Sequence, residues 1–91
     1  MTQKVYPRIA KTDYGEMRRQ CPDLPFPHEE WLAQQTISKE HYRKMGYKII
    51  DVLVTPQEIA NHCKAMRLRP DSVILAQFAV AKHIKNSRQV K

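Results

Sequence analysis

Hydrophobic and polar positions change their period twice along the second half of this 91-residue chain. From Tyr47 to Val54 they follow a two-residue beat. Ile50, Val52 and Val54 follow Lys48 on one face, and Tyr47, Ile49 and Leu53 lie on the other, interrupted by Asp51. Successive strand residues point to opposite sides, so both faces are largely apolar. A strand of this kind wants cover on both sides and hydrogen-bonding neighbours along its edges. At Thr55-Pro56-Gln57-Glu58 the beat switches to helical. Thr55 fits the N-cap, Pro56 the first helical position and Glu58 the reciprocal partner of a capping box, with Val54 and Ile59 placed as a hydrophobic staple. Ile59, Cys63 and Met66 then recur at i, i+4 and i+7 and predict a buried stripe on a helix that ends near Arg69, ahead of Pro70. Asp71 or Ser72 can cap the next helix. Eight of the nine residues Val73–Ala81 are apolar, which predicts a central helix buried around nearly its whole circumference.

The first half is less regular. Lys4–Ala10 contains β-favouring residues, but Pro7 has no N–H and confines any strand there to a sheet edge. DYGEMRRQ can form a short helix. Cys21–Pro27 has three prolines in seven residues and reads as an extended connector. Pro27 fits the first turn of a helix that opens with Glu29 and Glu30, closes with Lys39, Arg43 and Lys44, and stops at Gly46, a charge order that suits the helix dipole. Its apolar stripe is thin: Trp31 as a core anchor, then Tyr42 and Met45.

The expected fold is therefore an α-rich α+β single domain over residues 1–91. It has three main helices near 27–45, 55–68 and 71–86, one principal strand near 47–54, an irregular segment 1–26 with an edge strand at 4–10, and a frayed basic tail at 87–91. The principal strand is expected to pair with that edge strand or with its own copy across a homodimer.

Composition narrows the function classes. The chain is 42% hydrophobic and 27% charged, ordinary for a globular protein. Its start carries charges and a proline where a signal peptide needs an apolar block, and its longest apolar run is too short to span a bilayer. Two cysteines, Cys21 and Cys63, are too few for a disulfide scaffold. These features predict a cytoplasmic protein with no membrane role. Of the net charge of +7, residues 53–91 hold +5, with seven Lys/Arg against Glu58 and Asp71. Such a field attracts nucleic acid or an acidic protein without choosing between them.

No chemistry-bearing motif accompanies the charge. His62 and Cys63 are adjacent, so on a helix their side chains diverge by about 100° and cannot close on one ion. His28, His41 and His83 have no paired spacing, so no metal and no cofactor is expected. The chain has only two glycines, Gly15 and Gly46, too few for a backbone phosphate cradle. A catalytic or ligand site, if one exists, would centre on Cys21 or a histidine.

The strand, helix, turn and helix over residues 48–86 resemble the element order of ribbon-helix-helix proteins, whose strand pairs with its copy in a homodimer. The resemblance implies a dimer joined through Ile50, Val52 and Val54. It departs at the DNA-reading face, where family members carry polar or basic residues and this chain has Ile49, Asp51 and Leu53. The chain also resembles uncharacterised small bacterial proteins with E-E-W-L (Glu29–Leu32), G-Y (Gly46-Tyr47), a β run and a helix bearing a buried Cys (Cys63). That likeness implies no function. The remaining candidate is a basic set, Lys82, Lys85, Arg88 and Lys91 at every third position, with Lys64, Arg67 and Arg69 added, suited to an anion or nucleic acid. A solvated helix end accounts for the same residues. The sequence thus points to a small non-enzymatic interaction protein of the bacterial cytoplasm, with a DNA- or RNA-binding regulator as the alternative.

Overall fold

A computed structural model describes residues 2–89, with the side chains of residues 88 and 89 left aside. In chain order it contains β1 (Gln3–Arg8), α1 (Lys11–Gln20), α2 (His28–Lys44), β2 (Lys48–Leu53), α3 (Pro56–Met66) and α4 (Ser72–Gln89). The described residues form an α+β domain with four helices, one more than expected, and two strands.

The two strands pair in parallel, with Val5 opposite Ile50 and Pro7 opposite Val52. Flanking bonds run from Lys48 N–H to the Thr2 carbonyl and from Val54 N–H to the Arg8 carbonyl, both at 2.9 Å. The two-residue period therefore turns the backbone groups of residues 48, 50, 52 and 54 toward β1. Pro7, whose position lies between those that β1 turns toward β2, carries its missing donor on the outer edge, where its absence costs no ladder bond. The principal strand thus finds one neighbour within its own chain.

Both faces of the sheet are covered. Val52 and Val54 are buried with Ile59 and Cys63 of α3 and Leu75 and Ala79 of α4, and Val5 and Ile50 pack against this cluster. On the other face α2 crosses: the Tyr6 hydroxyl meets Ser38 Oγ at 2.6 Å, and Lys39 Nζ reaches Asp51 Oδ1 at 2.7 Å.

Segment 1–26 is not irregular. α1 buries Tyr14 and Met17, and Cys21 and Leu24 continue the same cluster. Its helix signal was weak because two apolar residues and an internal glycine give little periodicity. Packing supplies what propensity lacks. The connector turns rather than extends, with Leu24 N–H bonded back to the Cys21 carbonyl at 3.1 Å and Leu24 drawn into the core. Asp23 there accepts from the Ser72 backbone N–H and hydroxyl, tying the connector to the start of α4.

α2 starts at His28 and ends in a Schellman closure. Gly46 N–H bonds to the Arg43 carbonyl and Tyr47 N–H to the Tyr42 carbonyl, with Gly46 at φ +92°. Met45 lies outside the core at 59% exposure, because the closing turn swings it to solvent.

The capping box at α3 forms in full: Glu58 N–H donates to Thr55 Oγ1 at 3.2 Å and Thr55 N–H to Glu58 Oε1 at 2.9 Å. Ile59 and Cys63 are buried as expected, whereas Met66 is exposed. The helix stops before Pro70 acts, because Arg67 adopts the left-handed conformation (φ 56°) and its N–H and that of Leu68 both close on the Cys63 carbonyl.

α4 departs furthest from expectation. Asp71 caps it, accepting from Ile74 N–H at 2.8 Å, and the helix runs on to Gln89 through most of the segment expected to fray. It is not buried all round. Leu75 and Ala79 face the core, while Val73, Val80 and Ile84 remain 59%, 41% and 48% exposed. A two-stranded sheet is too narrow to surround a helix, so among the described residues the far side of α4 has nothing to pack against.

Candidate functional site

The period that turns even-numbered residues of β2 toward β1 turns the backbone groups of Ile49, Asp51 and Leu53 the other way, to the far edge of the sheet. Among the described residues no backbone partner meets them there. One of these groups is met by a side chain: Lys82 Nζ donates to the Leu53 carbonyl at 2.7 Å. The same ammonium lies 2.7 Å from Glu58 Oε2 and 2.9 Å from Oε1. Burial pushes the Glu58 carboxyl up, but the bonds from Lys82 and from Thr55 outweigh it and hold the acid below its ordinary range. The rest of the edge stays open, with Leu53 half exposed beside it and the Asp51 carboxylate turned to Lys39.

Next to this end of the edge, α3 and α4 enclose a groove of about 360 Å³. Phe78 and His62 form one wall, ring centroids 5.0 Å apart, and Lys82, Lys85 and Asn86 line the α4 side.

The basic set does not come together as one patch. The Glu58–Lys82 pair shows that α3 and α4 run antiparallel. Lys64 is exposed in the last turn of α3 and Arg67 and Arg69 in the turn between the helices, and Lys82 and Lys85 lie beyond the tenth residue of α4, about 15 Å along its axis. Lys82 is committed to Glu58 and Leu53. Arg88 falls within α4, but its side chain is outside the described residues, as is Lys91 altogether. The proposed dimer-strand side chains Ile50, Val52 and Val54 all turn to the chain's own core, so any contact at this strand runs through backbone groups and through the side chains at 49, 51 and 53.

Cys21 is fully buried. Burial, helped by Asp23, Cys63 and Asp71, pushes its thiol up to about 11, and Cys63 is raised by burial as well. Both are protonated at neutral pH, a state in which sulfur is a weak nucleophile and a poor metal ligand. The histidines are dispersed. His28 Nε2 lies 3.1 Å from the Ile9 carbonyl with its ring stacked on Trp31, His41 meets Tyr42, and His83 Nε2 lies 3.2 Å from Gln3. Among the described residues no three His, Cys, Asp or Glu side chains are gathered as a metal site, and no helix is long and apolar enough to cross a membrane.

Comparison of the chain with protein-family models, curated proteins and solved structures finds no match.

The feature that sequence reasoning missed is the role of Lys82. Its spacing to Lys85 places it in a basic set, whereas its pairing with Glu58, 24 residues away, depends on the helices folding back on each other.

Proposed function

We propose that this chain is a non-enzymatic interaction module of the bacterial cytoplasm that works as a homodimer joined at the far edge of β2. The carrying observation is that edge: β1 occupies one side of an otherwise apolar strand, and the outward groups of Ile49 and Asp51 are left for another strand. The edge has no outward lysine or proline in its middle to discourage pairing. A second copy placed antiparallel across a twofold axis at Val52 sets Asp51 opposite Leu53 of the other copy. Each pair exchanges two backbone bonds, and the two aspartates are kept apart. The Leu53 carbonyl has a second lone pair and accepts from the incoming strand while still bound to Lys82. Four backbone bonds at about 1 kcal/mol each contribute about 4 kcal/mol, which makes this a weak, millimolar-range contact.

Asp51→Pro is the discriminating change, because the Asp51 N–H points away from β1. Val52 is unsuitable, since its N–H belongs to the in-chain ladder. At about 1 mM protein, light scattering is expected to show a dimer fraction for the unaltered chain and for Asp51→Asn, and a monomer with unchanged circular dichroism for Asp51→Pro. A monomer at every concentration for the unaltered chain overturns the reading.

The nucleic-acid reading keeps the +7 charge in its favour, with Lys64, Arg67 and Arg69 all exposed around the end of α3. Titration with nonspecific duplex at two salt concentrations separates the two: affinity that falls steeply with salt marks released counterions, and no binding at low salt removes the regulator.

A further inference from the structure

The sheet has a second edge, on β1, and this one is walled. The period that turns Lys4, Tyr6 and Arg8 toward β2 turns the backbone groups of Gln3, Val5 and Pro7 outward. Among the described residues no backbone partner meets them. α2 on one face and α4 on the other both reach past the edge. Trp31 and Gln35 of α2, Leu75 and Ala76 of α4, and Val5 and Pro7 between them line a slot of about 240 Å³, in the place of a third strand. Trp31 is 4% exposed, yet its indole N–H meets no acceptor among the described residues. No enclosed side-chain N or O among them is left unpaired, so that N–H opens to a space that Trp31 lines. The Gln35 amide beside it is unengaged as well. Charge is confined to the two ends. Lys4, with Nζ 4.7 Å from the centre of the Tyr42 ring, stands at one end and makes no ion pair among the described residues. Past Pro7, a space lined again by Leu24, Trp31, Gln35 and Ser72 leads to the Asp23 carboxylate.

We propose that this slot takes an extended peptide segment of another protein as a third, antiparallel strand, with an acidic residue opposite Lys4 and a basic one toward Asp23. Shape excludes a second copy of this sheet, which arrives with its own helices on both faces and cannot enter between α2 and α4. The backbone selects a peptide: Val5 offers an N–H and a carbonyl, and Gln3 and Pro7 add carbonyls at the two-residue spacing that another strand meets. Antiparallel pairing is the stronger per residue. The pleat then fixes the side chains. Residues opposite Val5 and Pro7 turn to the α4 side, against Leu75 and Ala76, where a small aliphatic group fits. Residues opposite Tyr6 and Lys4 turn to the α2 side at the closer, non-hydrogen-bonded spacing. There a hydrogen-bonding side chain meets Gln35 and an acidic one meets Lys4. About four extended residues at roughly 3.3 Å each run from Pro7 to Lys4. This site rests on the β1 edge alone and not on the dimer reading of β2.

The blocked peptide acetyl-Lys-Val-Thr-Val-Glu-amide carries this pattern, with charge only on its side chains. Trp31 is the single tryptophan of the chain, so its fluorescence reports the slot directly. At about 10 µM protein, too dilute for a millimolar strand-edge dimer, titration is expected to change that fluorescence saturably. Nuclear magnetic resonance of the isotope-labelled chain should show its largest amide shift at Val5. N-methylation of the second valine, opposite Val5, removes the bond to the Val5 carbonyl and should weaken binding about tenfold. Lys4→Glu should weaken binding about fivefold, and replacing the peptide's glutamate by lysine should restore it. Asp51→Pro should bind as the unaltered chain does, so a failure of the strand-edge reading and a failure of this one are told apart. No saturable change up to about 5 mM peptide, equal binding of the N-methylated peptide, or no recovery on charge exchange overturns the proposal.

Discussion

α3 and α4 form one antiparallel hairpin over the same face of the sheet, yet they differ in what they leave outside. α3 sends Ile59 and Cys63 inward and exposes polar side chains such as Gln57, Asn61 and Lys64 along its length, with Met66 exposed only at its end. α4 sends Leu75 and Ala79 inward and still has Val73, Val80 and Ile84 left over. An amphipathic helix reports the surface it covers within its own chain. A helix that is apolar around most of its circumference reports all the surfaces it covers, including those that its own fold does not supply. The two helices therefore separate the apolar surface that this fold covers from the apolar surface that it leaves exposed.

The largest test of that separation compares two aliphatic residues on opposite sides of α4. Leu75 is 1% exposed and Val80 is 41% exposed. Leu75→Ala is expected to cost about 3 kcal/mol, the loss of buried methyl groups plus the cavity they leave. Val80→Ala in dilute protein should cost less than about 1 kcal/mol. Urea unfolding measures both. Similar costs for the two would show that the outer face is engaged within the chain, and would break the comparison.

A second test addresses the link between the helices. Glu58 is held below its ordinary value of 4.5, so its contribution to stability is complete above that value and is lost as pH falls through the lower folded value. Asp23, lowered chiefly by the bond from the Ser72 side chain, adds a loss of the same sign. Lys82→Met removes the Lys82 bonds to Glu58 and to the Leu53 carbonyl and leaves Asp23 untouched. It is expected to lower stability near neutral pH and to flatten, without abolishing, the decline between about pH 5 and pH 3. Urea midpoints across that range read the slope. An unchanged slope would show that Glu58 titrates independently of α4.

How much of this was legible follows the range of the interactions involved. The caps of α3, the inward set Ile50, Val52 and Val54, the terminating Gly46 and the edge position of Pro7 all depend on neighbours within a few residues, and all are readable from order and spacing. α1 was not, because Tyr14 and Met17 gain their stability from Leu24, Trp31 and the rest of a cluster assembled from distant segments. The pairing of Lys82 with Glu58 is not readable from spacing for the same reason. The exposed face of α4 was present in the sequence as an apolar excess, but a run such as Val73–Ala81 states only that water is avoided. Whether the cover comes from the same chain depends on the width of the sheet, and that width was set by the pairing of β1 with β2.

The smallest expected effect concerns how α2 and α3 end. Both close with bonds back to the last turn around one left-handed residue, Gly46 at φ +92° in α2 and Arg67 at φ 56° in α3. Glycine enters that region without steric cost, whereas a residue with a Cβ loses about 1 kcal/mol or more there. A Cβ built on Gly46 meets no atom within 4 Å, so Gly46→Ala tests backbone strain alone and should destabilise by about 1 kcal/mol. The reverse change, Arg67→Gly, relieves that strain but makes the unfolded chain more flexible, which returns part of the gain. A net stabilisation of about 0.5 kcal/mol is expected, with the Arg67 side chain exposed and no bond lost from its N–H to the Cys63 carbonyl. If Arg67→Gly instead destabilises the chain in urea, the arginine side chain holds the hairpin turn through contacts of its own, and the two helix ends are closed by different means.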